Sequence, residues 1–213
     1  MDRINTILFD WDGTLIDTAQ YSFAAFQKTI GEFGMLLEVE LYEKIYSPNW
    51  YIMYEALQLP KDKWQEADDL WILNYGQGTA PLMQGGQHAL TGLRNLGYCL
   101  GIVTSGSKSR VLREMSSLGV ADLISVAVCN EDVALKKPHP EGLQKAMQHL
   151  DRRPDFCCYV GDSPDDVEMG RRAHMRTIGI PGGYPGSKYL ADANPDLYLK
   201  SIDQLLEHFH ALR

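Results

Sequence analysis

Short, nearly continuous apolar runs recur along this chain, and stretches with helical spacing separate most of them. Residues 4–9 and the segments "YCLGIVT", "LISVAVC", "FCCYVG", "MRTIGI" and "LYLK" predict strands. Between them, "SKSRVLREMSSLG", "HPEGLQKAMQHL", "PDDVEMGRRAH" and "SIDQLLEHFHAL" predict helices, the first stopping at Gly119 and the second carrying Pro near its start. Strands that are apolar throughout, rather than alternating, belong to a parallel sheet covered by helices on both faces. One region breaks the rhythm. From Asp17 onward, "TAQYSFAAFQKTIGEFG" places Phe23, Phe26 and Ile30 on one helical face and stops at Gly34. The segments "EVELYEKIY", "NWYIMYEALQL" and "KDKWQEADDLWILNY" continue as amphipathic helices, and "GQGTAPLMQGG" reads as a linker. The expectation is an α/β protein with a doubly wound parallel sheet, formed by residues 1–16 plus 80–213. A small all-helical cap, residues 17–79, is inserted after the first strand.

In open parallel sheets ligands bind beyond the carboxyl ends of the strands. The residues that follow each apolar run are therefore informative. The first run leads into Asp10 and Asp12. The second leads into Thr104, Ser105 and Gly106, the third through a short loop into Lys136 and Lys137, and the fourth into Asp162, Ser163, Asp165 and Asp166. Strand alternation sends Asp10 and Asp12 to one side and Trp11 to the other. Two carboxylates on one side repel, so a cation must lie between them or one must hold a proton.

Composition narrows the partners. The 213 residues carry a net charge of -8, which argues against a nucleic-acid backbone but leaves room for a small phosphorylated metabolite. The apolar runs, such as residues 99–103 and 178–180, are too short to cross a bilayer, so no membrane partner is expected. The opening "MDRINTILFD" lacks a leader-like apolar stretch. Cys99, Cys129, Cys157 and Cys158 lie in segments that read as buried strands and form no C-x-x-C pair. They read as reduced thiols of a cytoplasmic protein, expected as a monomer or homodimer.

In order and spacing, "DWDGTL", "VTS", "KKP" and "GDSPDD" resemble the four motifs of the haloacid dehalogenase superfamily, in its phosphatase branch with an inserted helical cap. The first and last motifs are specific, whereas "VTS" and "KKP" alone are not. Trp11 stands where that family more often has Phe. The resemblance implies a Rossmann-like core and a Mg²⁺-dependent phosphatase that works through an aspartyl-phosphate, with phosphoglycolate phosphatase-like activity as the nearest label. Carried over position by position, it implies that Asp10 is the nucleophile and that Asp12 shuttles the proton. Lys137, which directly precedes Pro138, neutralises charge between Asp10 and the phosphoryl group. Thr104 with the backbone N–H groups of Ser105 and Gly106 holds phosphate oxygens. Mg²⁺ is held by Asp10, Asp162 and the carbonyl of Asp12, and Asp166 orients a metal-bound water from behind. Gly13 gives the chain room to turn.

Rival readings rest on fewer residues. A dehalogenase lacks an acid at the position of Asp12. A β-phosphoglucomutase-like enzyme grips a second phosphate from the cap, usually with arginine, and this chain has no arginine between Arg3 and Arg94. A phosphonatase needs a Schiff-base lysine in the cap. A receiver-type signalling module is shorter and takes its acids from different strands. Lys136 reads as a solvated surface lysine and His139, between prolines, as a turn residue. Trp50, Tyr51, Trp64 and Trp71 read as cap packing, one or two of them lining the opening.

Overall fold

A computed structural model describes residues 3–76, 78 and 80–212. Six strands, β1 (Thr6–Phe9), β2 (Cys99–Val103), β3 (Val126–Val128), β4 (Cys157–Gly161), β5 (Arg176–Gly179) and β6 (Leu197–Tyr198), form one sheet in the order β3-β2-β1-β4-β5-β6. Every pairing is parallel. The three central strands are apolar on both faces because helices cover both. On one face α5 (Gly86–Asn95), α6 (Lys108–Ser117) and α9 (Ile202–Ala211) enclose Ile7, Phe9, Leu100, Val160 and Phe209. On the other, α7 (Glu141–His149) and α8 (Pro164–Arg172) pack on Leu8, Val103 and Tyr159. Each fully buried side chain of this size contributes about 1.5–3 kcal/mol.

Two elements differ from the pattern in the sequence. Helix α5 lies where that pattern assigns no element, because Gly85, Gly86 and Gly92 dilute the apolar positions Ala89, Leu90 and Leu93. The edge strand β3 is three residues rather than seven, since Asn130–Asp132 turns away in a 3-10 helix immediately afterwards. Cys129 therefore sits past the strand end and Cys99 is half-buried, while Cys157 and Cys158 lie within β4; all four are free thiols.

The insertion after β1 is helical among its described residues: α1 (Ala19–Glu32), α2 (Val39–Ile45), α3 (Trp50–Ala56) and α4 (Trp64–Tyr75). They share a core of their own around Phe26, Ile30, Met53, Tyr54 and Ala67. The chain leaves and re-enters the sheet domain side by side. Asp17 N–H donates to the Pro81 carbonyl and Met83 N–H to the Leu15 carbonyl, with an antiparallel bridge between Ile16 and Leu82. Thr79, at the expected end of the cap, lies outside the described residues. No helix among the described residues is long and apolar enough to cross a membrane.

Candidate active site

A cavity of about 400 Å³ lies between the carboxyl end of the sheet and the cap, a size typical of small-molecule sites. All four strand ends contribute. β1 ends at Phe9, so Asp10 and Asp12 belong to the turn beyond it, yet both still line the cavity while Trp11 is fully buried in the core. Gly13 makes that turn at φ +83°, and a Cβ there would stand 2.7 Å from Asp162 Oδ2. Only glycine fits.

Lys137 is the central cation. Its ammonium donates to Asp10 Oδ1 at 2.6 Å and to Asp166 Oδ1 at 2.8 Å, with all three side chains buried. The sequence "GDSPDD" explains why Asp166 is there. Ser163 caps α8 with Pro164 in the first turn, and Asp166 closes a capping box with Ser163. Asp166 Oδ2 accepts from Ser163 N–H at 3.1 Å and from Ser163 Oγ at 2.6 Å, and Oδ1 also accepts from the Tyr159 hydroxyl at 3.1 Å. Both of its oxygens thus have protein donors, which suits a group that positions Lys137. Lys136 differs from the sequence reading. It is half-buried and donates to the carbonyls of Asn130 (2.8 Å) and Val133 (3.4 Å), pinning the loop rather than facing solvent. His139 is a turn residue whose Nδ1 accepts from Glu141 N–H.

Asp10, Asp162 and Asp166 each bring one carboxylate oxygen within 4.8 Å of the others. Burial pushes Asp10 up to about 7; Lys137 opposes that rise and the Asp166 charge adds to it. Burial raises Asp162 well above the usual carboxylate range, and repulsion from Asp166 and Asp10 raises it further. Acids that resist ionisation because they are buried together are suited to a divalent cation, whose charge favours their ionised forms. Among the described residues no hydrogen bond reaches the Asp12 carbonyl, while the neighbouring Trp11 carbonyl accepts from both Leu15 and Ile16. Ser187, on the loop after β5, orients Asp162. Its hydroxyl lies 2.7 Å from Asp162 Oδ2 and 2.8 Å from the Asp162 carbonyl.

The loop after β2 is tighter than the sequence suggests. Gly106 N–H donates to Thr104 Oγ1 at 3.0 Å, so that N–H is already engaged within the loop. The Thr104 hydroxyl keeps its own proton to donate. Ser107 Oγ and Asn130 Oδ1, both on the cavity wall, are buried with no hydrogen-bond partner among the described residues. Unpaired polar atoms at that depth are costly unless a ligand meets them.

Sequence reasoning missed the partner of Asp12. Arg110 on α6 grips its carboxylate with both terminal nitrogens, at 2.9 and 2.5 Å, and also donates to Glu114 at 3.0 Å. Glu114 is fully buried and accepts in addition from Trp11 Nε1 (2.8 Å) and from the Tyr75 hydroxyl of the cap (3.2 Å). Burial opposes the Arg110 charge, but Asp12 and Glu114 outweigh it and hold the guanidinium firmly protonated. Trp71 and Tyr75 of α4 lie over it, with ring centroids 5.9 and 5.1 Å away. The sequence offers only their spacing: Arg110 and Glu114 fall on the same face of α6 as Val111 and Met115, and the structure buries that face. Tyr184 was also missed. Its hydroxyl meets Thr18 (3.0 Å) and Ser22 (2.7 Å), and its ring stacks on Tyr46 at 5.3 Å, tying the loop after β5 to the cap.

The family model described as haloacid dehalogenase-like hydrolase matches residues 7–180. A pyrophosphatase PpaX of Bacillus pumilus is 32% identical over 214 residues, covering 95% of this chain and 95% of the relative. The PpaX of Oceanobacillus iheyensis is 28% identical with the same coverage. Among solved structures, a "predicted phosphoglycolate phosphatase" from Haemophilus somnus superposes with a TM-score of 0.85 at 19% identity, covering 97% of this chain and 98% of that one. CbbY from Rhodobacter sphaeroides, solved with phosphate, gives a TM-score of 0.79 at 24% identity, covering 95% and 96%. At these identities the likeness is one of fold.

Proposed function

This chain belongs to the haloacid dehalogenase-like hydrolase family, and from that premise we propose that it is a Mg²⁺-dependent phosphatase of small phosphomonoesters that works through an aspartyl-phosphate on Asp10. The supporting observation is the buried chain Asp10–Lys137–Asp166, at 2.6 and 2.8 Å, in a cavity shared with Asp12 and Asp162. Mg²⁺, held by Asp10, Asp162 and the Asp12 carbonyl, would supply charge neutralisation for the approach of one anion to another.

The chain's own groups account for the rest. Asp10 forms a bond to phosphorus as the ester P–O bond breaks, and Asp12 gives a proton to the departing alkoxide. Water then displaces phosphate from Asp10, and Asp12 takes the proton back. Both Asp12 oxygens accept from Arg110, which fixes the orientation of the carboxyl group and leaves a lone pair on each oxygen for the proton. Lys137 stays beside Asp10 through both halves and offsets charge on the transferring group. Thr104, Ser105 and Ser107 face the phosphoryl oxygens. Residues 17–79 act as a cap that opens for substrate and closes to exclude water, with hinges near 17–18 and 78–86.

A mutase reading needs a cation on the cap to hold a second phosphate. Arg110 and Lys137 are the cavity's cations among the described residues, and both belong to the core. Phosphate release from a panel with and without Mg²⁺, beside Asp10→Asn, tests the proposal. The panel includes phosphoglycolate, pyrophosphate, sugar phosphates and nucleotides. Turnover that needs both Mg²⁺ and Asp10 is expected; activity that survives in Asp10→Asn overturns the nucleophile assignment.

A further inference from the structure

The cavity has two unlike ends. The core end carries Arg110 and Lys137, each already paired with carboxylates. The cap end has no Lys or Arg among the described residues that line it. Its walls include Trp50, Tyr51 and Tyr54, and the carboxylate set against these three rings is Asp68 of α4. Asp68 Oδ1 accepts from Trp50 Nε1 at 2.8 Å and from the Tyr54 hydroxyl at 3.1 Å, and Oδ2 accepts from the Tyr51 hydroxyl at 3.0 Å.

Three neutral donors hold this half-buried anion, and no salt bridge reaches it among the described residues. Lys136 feels its field, but that ammonium donates to the carbonyls of Asn130 and Val133. Burial already disfavours the Asp68 charge, and the three donors only partly offset this. Asp69, beside it on α4, also lines the cavity and adds negative charge. Aromatic faces are themselves negative. Substrates whose far end is a second phosphate or a carboxylate would meet repulsion there, whereas a positive end would gain from both the rings and the carboxylate.

Resting on the phosphatase reading above, we propose that the cap end of the cavity is a cation subsite, and that the preferred substrate is the phosphomonoester of an alcohol bearing a positively charged nitrogen. The phosphate sits at Asp10 and the nitrogen within the ring cage against Asp68. Among the described residues, Asp68 is the carboxylate that hydrogen-bonds to the cage rings, so discrimination between charged and neutral substrates should pass through it.

The test uses substrates matched in shape and different in charge. Phosphocholine and 3,3-dimethylbutyl phosphate differ by nitrogen against carbon at one atom. With Mg²⁺ present, kcat/KM for phosphocholine should exceed that for the neutral isostere by about tenfold or more, the scale of a desolvated cation–π contact assisted by a carboxylate. Phosphoethanolamine should also exceed the neutral isostere, and phosphoglycolate should fall below it. Asp68→Asn should shrink the charged-to-neutral ratio towards one. The comparison in the unmodified protein stands even if that variant misfolds. A charged-to-neutral ratio that Asp68→Asn leaves unchanged overturns the part assigned to Asp68, and equal or faster turnover of the neutral isostere in the unmodified protein overturns the subsite. If neutral phosphomonoesters turn over with Mg²⁺ and Asp10 dependence but without charge preference, the subsite alone falls. Silence of every phosphomonoester removes the phosphatase reading and the subsite with it.

Discussion

Arg110→Met is the most informative perturbation of this fold. The guanidinium is shared by Glu114, whose side chain is 0% exposed, and by Asp12 at 20%. Its removal leaves the Glu114 side chain without its cation among Trp11, Tyr75 and the apolar face of α6, with two neutral donors at 2.8 and 3.2 Å. Stripping one partner from a buried pair costs about 3–5 kcal/mol, most of it the penalty of the charge left behind. Against a total stability of about 5–15 kcal/mol, that is a large fraction. For a chain of this length it lowers Tm by about 6–20 °C. Adding Glu114→Gln removes the stranded charge, so the double variant should recover about 2–3 kcal/mol of the loss, a coupling that a double-mutant cycle isolates. Arg110→Lys keeps the charge but cannot grip Asp12 with two nitrogens, and should fall between the unmodified protein and Arg110→Met. Urea unfolding in Mg²⁺ buffer, with an unchanged m-value, is the assay. A loss below about 1 kcal/mol in Arg110→Met, or a double variant no more stable than the single, refutes the reasoning.

Three further outcomes follow from the site and its surroundings. In chelator-treated protein, Asp10 keeps its proton to about pH 7 in the folded state but releases it near 3.8 when unfolded, so stability should fall as pH rises through that window, by up to ~1.4 kcal/mol per unit. Mg²⁺ should therefore raise Tm more at pH 8 than at pH 5, and equal increments at both would contradict this. Gly13→Ala places a Cβ 2.6 Å from the Tyr184 ring at φ +83° and should cost at least ~1 kcal/mol along with most of the activity, read by melting and turnover together. Burial pushes the thiols of Cys129 to about 12 and Cys157 to about 11 and raises Cys158 as well, so a thiol reagent at pH 8 should modify half-buried Cys99 first and the others only on unfolding.

The sheet was legible because its central strands are buried on both faces, which writes β1, β2 and β4 as uninterrupted apolar runs. The residues at their ends were legible for the same reason: Asp10, Thr104, Lys137 and Asp162 each follow such a run, or the short loop after it, and a polar residue there has a rim to face. Helix α5 was not, since three glycines weaken its stripe. The partnership of Arg110 with Asp12 was hidden by sequence distance, 98 residues, and by a pairing with Glu114 that resembles an ordinary surface bridge until the burial of α6 is known. Asp68 and its three donors were equally hidden. Trp50, Tyr51 and Tyr54 sit on one short helix and the acid on another, and only the packing of the cap brings them together.

The hydrogen bonds between Asp17 and Pro81 and between Leu15 and Met83 make the cap a loop whose two ends already meet. Closing such a loop adds little entropy cost however many residues it holds, because the penalty grows only with the logarithm of length. The sheet is therefore indifferent to what is hung between these two points. A shorter or longer insert would leave the sheet's register as it is, provided it keeps counterparts of Trp71 and Tyr75, which lie against the Arg110–Glu114 pair that holds Asp12. On the proposed reading, a chimera exchanging residues 18–80 for those of a relative should carry the donor's substrate preference on this chain's sheet, and unchanged preference in the chimera would contradict it.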